Sequence, residues 1–229
     1  MQIDRLSLRG FRNYEDAQAQ FVPGVNLLVG GNANGKTNLL EAVSYLSTGR
    51  SFRTRREAEL IRFGADFAEL RAQVQSQERT RELRAVLFSG RRPRQLWLAG
   101  VRQRSRAALS GVLTSVLFCP EDLALIKAGA AERRSFLDHA ICQLRPRYAE
   151  ALAQYHKLLE HKTRILRDWE KHPSLLDVLE DFNEAMARAG ALVIHYRAHF
   201  VRKLAEKAAQ IQTEFSGGRE TLALHYATV

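Results

Sequence analysis

The sequence predicts an α/β fold in two lobes: a strand-rich lobe built around a phosphate-binding loop, and an α-helical second lobe in the form of an arm. Three observations predict it. A glycine-rich loop lies between an apolar run and a helical pattern from Val25 to Thr48, period-two alternation dominates the chain up to Cys119, and after Pro120 the period becomes helical. The expected divisions are residues 1–119 for the phosphate-loop lobe with basic antiparallel strands, 120–215 for the helical arm, and 216–229 for a strand returning to the first lobe.

The phosphate loop is the organising stretch. Val25-Asn26-Leu27-Leu28-Val29 predicts a buried strand that feeds Gly30-Gly31-Asn32-Ala33-Asn34-Gly35-Lys36-Thr37-Asn38. Gly30, Gly35, Lys36 and Thr37 fit the spacing G-x-x-x-x-G-K-[ST], in which loop N–H groups and a helix N-terminus converge on the phosphates of a nucleotide such as ATP. Lys36 is placed to neutralise the β- and γ-phosphates, and the Thr37 hydroxyl to hold Mg²⁺. Leu39, Leu40, Val43 and Leu46 recur at helical spacing and supply the helix that the motif requires. A glycine-rich turn with an incidental Lys-Thr pair is the bland alternative, and the flanking segments disfavour it.

Composition bounds the classes. With 229 residues and 45% hydrophobic content, the chain has room for one large domain or two small ones. Charges within Met1 to Arg5 exclude a signal-peptide pattern, and no run of eighteen apolar residues occurs, so a soluble cytoplasmic protein without membrane association is expected. Cys119 and Cys142 lack a CxxC or His-rich partner, which makes reduced thiols the expectation. Of the net charge of +10, residues 50–106 hold fifteen arginines, no lysine and six acids, a local balance of +9. That localisation points to a polyanion such as nucleic acid; a solvated arginine-rich surface is the alternative.

The elements follow in order. Ile3, Leu6 and Leu8 mark a first strand ending near Gly10, and Ala17, Ala19 and Phe21 alternate in a second before Pro23-Gly24 turns the chain. Between them, Phe11-Arg12-Asn13-Tyr14 forms a loop that packs Phe11 inward, or else presents its cation, amide and rings to a base. Gly49 to Arg56 is expected to be an ordered basic loop that includes Arg53, Arg55 and Arg56. Strands are expected at Ala68–Val74, Leu83–Phe88 and Gln95–Leu98, with Arg91, Arg92 and Arg94 crowding a hairpin tip where an anionic partner or water neutralises them. Thr114 to Cys119 is expected to add another strand.

Past Pro120, helices are expected at Glu121–Lys127 and Ala130–Cys142. Tyr148, Leu152, Tyr155, Leu159, Lys162, Leu166 and Trp169 then step at heptad-like spacing. His172-Pro173-Ser174 breaks that helix, with Ser174 as the candidate N-cap of the next. Leu179 to Phe200 repeats the stepping; if helical through Phe215, this last element would span ~60 Å as part of an antiparallel arm. Ser216-Gly217-Gly218 ends it, and Leu222, Leu224 and Tyr226 alternate as a strand.

Four segments in order carry a family resemblance. Gly10–Tyr14, the loop from Gly30 to Val43, Thr48–Arg53, and Leu117–Leu123 followed by Glu132–Asp138 resemble the RecF family of bacterial replication and recombinational-repair proteins, across residues 1 to about 226. The resemblance implies an ABC-type ATPase lobe with a helical second lobe, and Arg12 and Asn13 near the base and phosphates. It also implies ATP-dependent dimerisation, binding of single-stranded and duplex DNA, cooperation with other recombination mediator proteins, and a part in SOS induction. Members resemble weak DNA-dependent ATPases.

Two departures qualify these implications. Ala33-Asn34-Gly35-Lys36 stands where the family has Gly-x-Gly-Lys, so an alanine occupies a position suited to positive φ. The family also places its signature segment and Walker B acids after the equivalent of residue 229, so a truncated member that binds ATP with little turnover is expected. Ser216-Gly217-Gly218-Arg219, Val116–Asp122 and Leu175-Leu176-Asp177 imitate those missing parts, but their contexts read as a helix end, a proline-interrupted strand and a helix start. The alternatives are a stand-alone phosphotransferase, which needs an acceptor site and a catalytic carboxylate near Lys36, and a DNA-binding module with a vestigial loop, which nucleotide binding would separate.

Overall fold

Period-two alternation builds a six-stranded antiparallel sheet in the order β2-β1-β3-β4-β5-β6. Its strands are β1 (Gln2–Phe11), β2 (Tyr14–Gln20), β3 (Phe67–Ser76), β4 (Arg79–Phe88), β5 (Gln95–Leu98) and β6 (Val101–Gln103). The computed structural model describes residues 1–76 and 79–228. Gln77, Glu78 and Val229, and the side chains of Arg106, Glu121 and Ala124, lie outside the described residues, so the comparison of Glu121 with a Walker B acid does too.

Register explains which face is buried. Leu6 pairs with Ala72 and Ala72 with Leu83, while Leu8 pairs with Leu70, Leu70 with Ala85 and Ala85 with Leu96. These rows stand on one face and bury against α1 (Lys36–Thr48) through Ala42, Tyr45 and Leu46. The opposite face is wet, as alternation requires. There Arg71 and Arg84 both pair with Glu69, and the Arg84 guanidinium lies 4.5 Å from the centre of the Trp97 ring.

The chain divides into two compact units, Met1–Asp122 and Leu123–Val229. The second is helical: α2 (Ala124–Lys127), α3 (Ala130–Leu144), α4 (Pro146–Asp168) and α5 (Leu179–Ser216). Its core gathers Leu137, Ile141, Tyr148, Ala151, Leu152, Val193 and Val201. Tyr148 meets Tyr196 and His161 meets Phe182, at 5.6 and 5.9 Å between ring centres, so α4 and α5 run antiparallel. The 38 residues of α5 correspond to about 57 Å at the helical rise. Gly217 ends it in the left-handed region at φ 62°, where its N–H and that of Gly218 close on the carbonyls of Glu214 and Thr213.

Several sequence expectations are corrected. Val25–Val29, Thr114–Cys119 and Leu222–Tyr226 form no strand, and Leu27 and Val116 are 82% and 100% exposed. A strand exists only with a hydrogen-bonded neighbour, and neither edge of the sheet accepts these segments. Instead the Asn26 side chain ties off its own turn, with its amide bonded to the N–H and C=O of Val22 at 3.0 and 2.9 Å. Leu224 and Tyr226 pack on the helical core. Ser174 and the Leu175-Leu176 pair belong to a 3₁₀ turn, and Val178 stands at the N-cap of α5 without a side-chain bond. In α1, Leu40 is exposed whereas Glu41, Ala42 and Ser44 to Ser47 face inward, with Leu39 and Val43 partly buried beside them.

Cys119 and Cys142 are in no disulfide. Among the described residues, no helix is long and apolar enough to cross a membrane.

Candidate nucleotide site and basic surface

The loop from Gly30 to Gly35 ends where α1 begins, with Gly35 at φ 92° as the N-cap. No acid stands in the first turn, so the helix N-terminus keeps its positive character for an anion. Lys36 folds back over the loop and donates from Nζ to the carbonyls of Gly30 and Gly31 at 2.8 and 2.7 Å. Its charge is therefore held over the loop. Gly35 also permits a close approach: a methyl group added there would lie 2.8 Å from the Asn13 amide and from the Tyr14 hydroxyl, which donates to the Gly35 carbonyl at 3.1 Å. Ala33 adopts φ 64°, the left-handed conformation that the sequence departure implied.

Arg12 and Asn13 are the two central residues of the β1–β2 hairpin, since Phe11 pairs with Tyr14. Phe11 is buried, and Arg12 takes φ 53° at a position that favours glycine. Such strain persists only where surrounding contacts enforce it. Here the Arg12 N–H bonds to the Leu60 carbonyl at 2.8 Å, and its guanidinium donates to Glu41 at 2.8 and 2.7 Å and to the Glu59 carbonyl at 2.8 Å. Asn13 in turn accepts a bond from the Asn38 amide at 2.8 Å. Thus Arg12, Asn13, Gly35, Lys36 and Asn38 come together around one helix end. Gly31, Asn32 and Asn34 line the loop, and Thr37 is exposed in the first turn.

The basic residues divide by what holds them. Arg53 donates to the side-chain amide oxygen Oδ1 of Asn38 at 2.7 Å and lies 3.6 Å from Glu41, so it belongs to the loop's surroundings. Arg94 turns inward to Glu57, the Tyr45 hydroxyl and the Gly49 carbonyl. It is therefore neutralised within the chain, unlike the hairpin-tip arginine expected from sequence. Burial, then the charge of Glu57, pushes the Tyr45 hydroxyl well above its ordinary range and keeps it a neutral donor; Arg94 acts in the opposite direction. Arg55, Arg56, Arg91 and Arg92 are exposed, and among the described residues no ion pair joins them to an acid. Arg92 lies over the Phe88 ring at 4.2 Å.

A magnesium ion fits here only as a partner of bound phosphates. Among the described residues no group of three or more His, Cys, Asp or Glu could hold a metal ion. Mg²⁺ commonly takes one or two protein oxygens beside phosphate and water, and the exposed Thr37 hydroxyl suits such a set.

Residues 2–224 match the family described as the RecF/RecN/SMC N terminal domain. The chain belongs to the RecF/RecN/SMC N-terminal domain family. Within this family it is 37% identical over 233 residues to the DNA replication and repair protein RecF of Lacticaseibacillus casei, covering 100% of this chain and 61% of that protein. It is 39% identical over 227 residues to the RecF of Desulforamulus reducens, covering 99% and 60% respectively. A solved structure of the recombination mediator protein RecF with ATP, from the RecFOR pathway, superposes with a TM-score of 0.88 at 31% identity, over 94% of this chain and 58% of that one. Its RecF-ATPrS counterpart gives 0.87. The chain thus spans about three fifths of the length of the RecF proteins it matches. Family and mixed α/β P-loop fold agree with the resemblance drawn from the four segments.

Around the loop, sequence reasoning missed Glu41, Ser51, Glu57 and Tyr45. Glu41 carried no signal of its own: it lies off the Leu39, Leu40, Val43 and Leu46 stripe, and its burial shows only in the fold.

Proposed function

We propose that the chain is an ATP-binding, DNA-binding protein of RecF type, acting in DNA replication, recombinational repair and SOS induction. ATP serves as the switch for homodimerisation and DNA engagement, and the protein works in the cytoplasm with other recombination mediator proteins. One observation carries this reading: Lys36 is held over a glycine-rich loop, left-handed at Ala33 and Gly35, at the α1 N-terminus, with Arg12 and Asn13 beside it. The RecF names of its relatives support the repair assignment.

The residues act by binding and orientation. Loop N–H groups from Gly30 to Gly35 and the α1 N-terminus receive the phosphates, while Lys36 exchanges its two carbonyl bonds for charge-assisted bonds to phosphate oxygen. Arg12 and Asn13 orient the nucleotide, and Thr37 holds Mg²⁺, which supplies neutralising charge to the phosphates. Exposed Arg55, Arg56, Arg91 and Arg92, with Arg53, meet single-stranded or duplex DNA through its backbone, which positions the protein without reading sequence.

Equilibrium titration with ATP tests the site. Lys36→Ala should lose at least about tenfold in affinity with an unchanged far-UV spectrum, equivalent to roughly 1.4 kcal/mol. Equal affinity of the two proteins would remove the nucleotide assignment.

A further inference from the structure

Glu41 is a carboxylate with 0% exposure, and the functional reading above gives it no task. A buried acid must be paired, and this one is paired on two sides. Arg12, from the β1–β2 hairpin, grips it with Nε and Nη2 at 2.8 and 2.7 Å. From the basic segment, the Ser51 hydroxyl donates to the same carboxylate, and Arg53 Nη1 lies 3.6 Å away. Ser51 also accepts the N–H groups of Arg53 and Thr54 at 2.9 and 3.1 Å, so the segment's backbone is folded around the hydroxyl that Glu41 holds.

A second path runs in parallel. Arg53 donates to Asn38 at 2.7 Å, Asn38 donates to Asn13 at 2.8 Å, and the Asn13 amide packs on Gly35. Arg53 therefore joins the loop's two neighbours, and with Arg12 it places two cations on one acid.

We propose that Glu41 is a positioning residue that ties the nucleotide side of the loop to the basic segment, with Arg53 as the movable member. Arg53 has one guanidinium and two claimants: Glu41 with Asn38 inside, and a DNA phosphate outside. When a phosphate draws it outward, Glu41 is left to Arg12 alone, and Asn38 loses the donor that orients its amide toward Asn13. DNA binding is thereby felt at the loop and, because linkage is reciprocal, ATP binding is felt at Arg53. This inference rests on the reading of the site as one for ATP and of the basic segment as one for DNA.

The experiment measures ATP affinity with and without a saturating oligonucleotide, and DNA affinity with and without ATP, in the full chain. The wild type should show one linkage factor of about fivefold or more, equal in both directions. Arg53→Ala, an exposed substitution that does not threaten folding, should bring the factor to within about twofold of unity, as should Glu41→Gln; Glu41→Asp, which restores the charge, should recover part of it. A linkage that persists in Arg53→Ala overturns the proposal and leaves the functional reading standing; a wild type that binds both ligands independently overturns the proposal and the role of ATP as a switch for DNA engagement, and leaves the two binding assignments standing. A wild type that binds no ATP overturns those assignments and the proposal together.

Discussion

Arg197 of α5 and Asp138 of α3 form a two-pronged ion pair, with Nε to Oδ1 and Nη2 to Oδ2 both at 2.9 Å. Tyr148, from the start of α4, donates its hydroxyl to the same carboxylate, so three helices of the second unit meet at one acid. The pair is largely desolvated, at 12% and 15% side-chain exposure. Removing one partner strands the other, so Arg197→Met should cost about 2–4 kcal/mol in urea unfolding, and Arg197→Met with Asp138→Leu should recover part of that loss. A single-variant loss below about 0.5 kcal/mol would show that the clamp is dispensable.

Alkaline stability follows from the same cluster. Burial, then the hydrogen bond and charge of Asp138, raises the Tyr148 hydroxyl far above its ordinary value of 10.0. A raised folded value contributes stability in full below the unfolded value, and loses it as pH rises from about 10 toward the folded one. Unfolding free energy should therefore fall above about pH 10, and Tyr148→Phe should flatten part of that fall.

Acid acts on the sheet. Burial alone would raise the Glu69 carboxyl, but hydrogen bonds and charge from Arg71 and Arg84 outweigh it and hold the group below its ordinary 4.5. Its stabilisation is present above the unfolded value and disappears as pH falls through the lower folded one. Glu69→Gln should make the chain less stable at neutral pH and less sensitive between about pH 5 and 3; an unchanged acid limb would refute the role of the pair.

Two loop substitutions should move in opposite directions. Ala33 takes φ 64°, and glycine relieves the left-handed penalty of about 1 kcal/mol while giving back part of it in unfolded-chain entropy, so Ala33→Gly should be neutral to slightly stabilising. Gly35→Ala meets both positive φ and the Asn13 amide. It should weaken ATP binding at least about tenfold, and affinity like that of the parent chain would show that the close approach is not required.

The arginines should separate in a salt titration of DNA binding. Replacing Arg91 or Arg92 by alanine should lower the slope of log affinity against log salt by about one unit each. Arg94→Ala should leave the slope unchanged and lower thermal stability, because its partner is Glu57. A lower slope in Arg94→Ala would assign that residue to the interface.

What was legible in the sequence depended on how local the information was. Leu6 and Leu8, or Leu70 and Ala72, announce a half-buried strand by their own spacing, and Tyr148, Leu152 and Tyr155 announce a helix in the same way. Val25 to Val29 announce only that they are apolar; whether a neighbour pairs with them is decided elsewhere, and no strand lies there. Glu41 reads as an ordinary helix charge until Arg12, 29 positions earlier, is seen to cover it. Arg94 likewise reads as a hairpin-tip cation until Glu57, 37 positions away, claims it. Spacing identifies the loop, but it does not say which acid meets which arginine.

The run from Thr114 to Cys119 belongs to no helix or strand. A protease must draw several residues of backbone into its cleft, and Phe118 stands 85% exposed on a stretch outside regular secondary structure. It lies just before the division of the two units at Asp122. Brief digestion with an enzyme that cuts after aromatic residues should therefore nick the chain there early, between the residues of its two hydrophobic clusters.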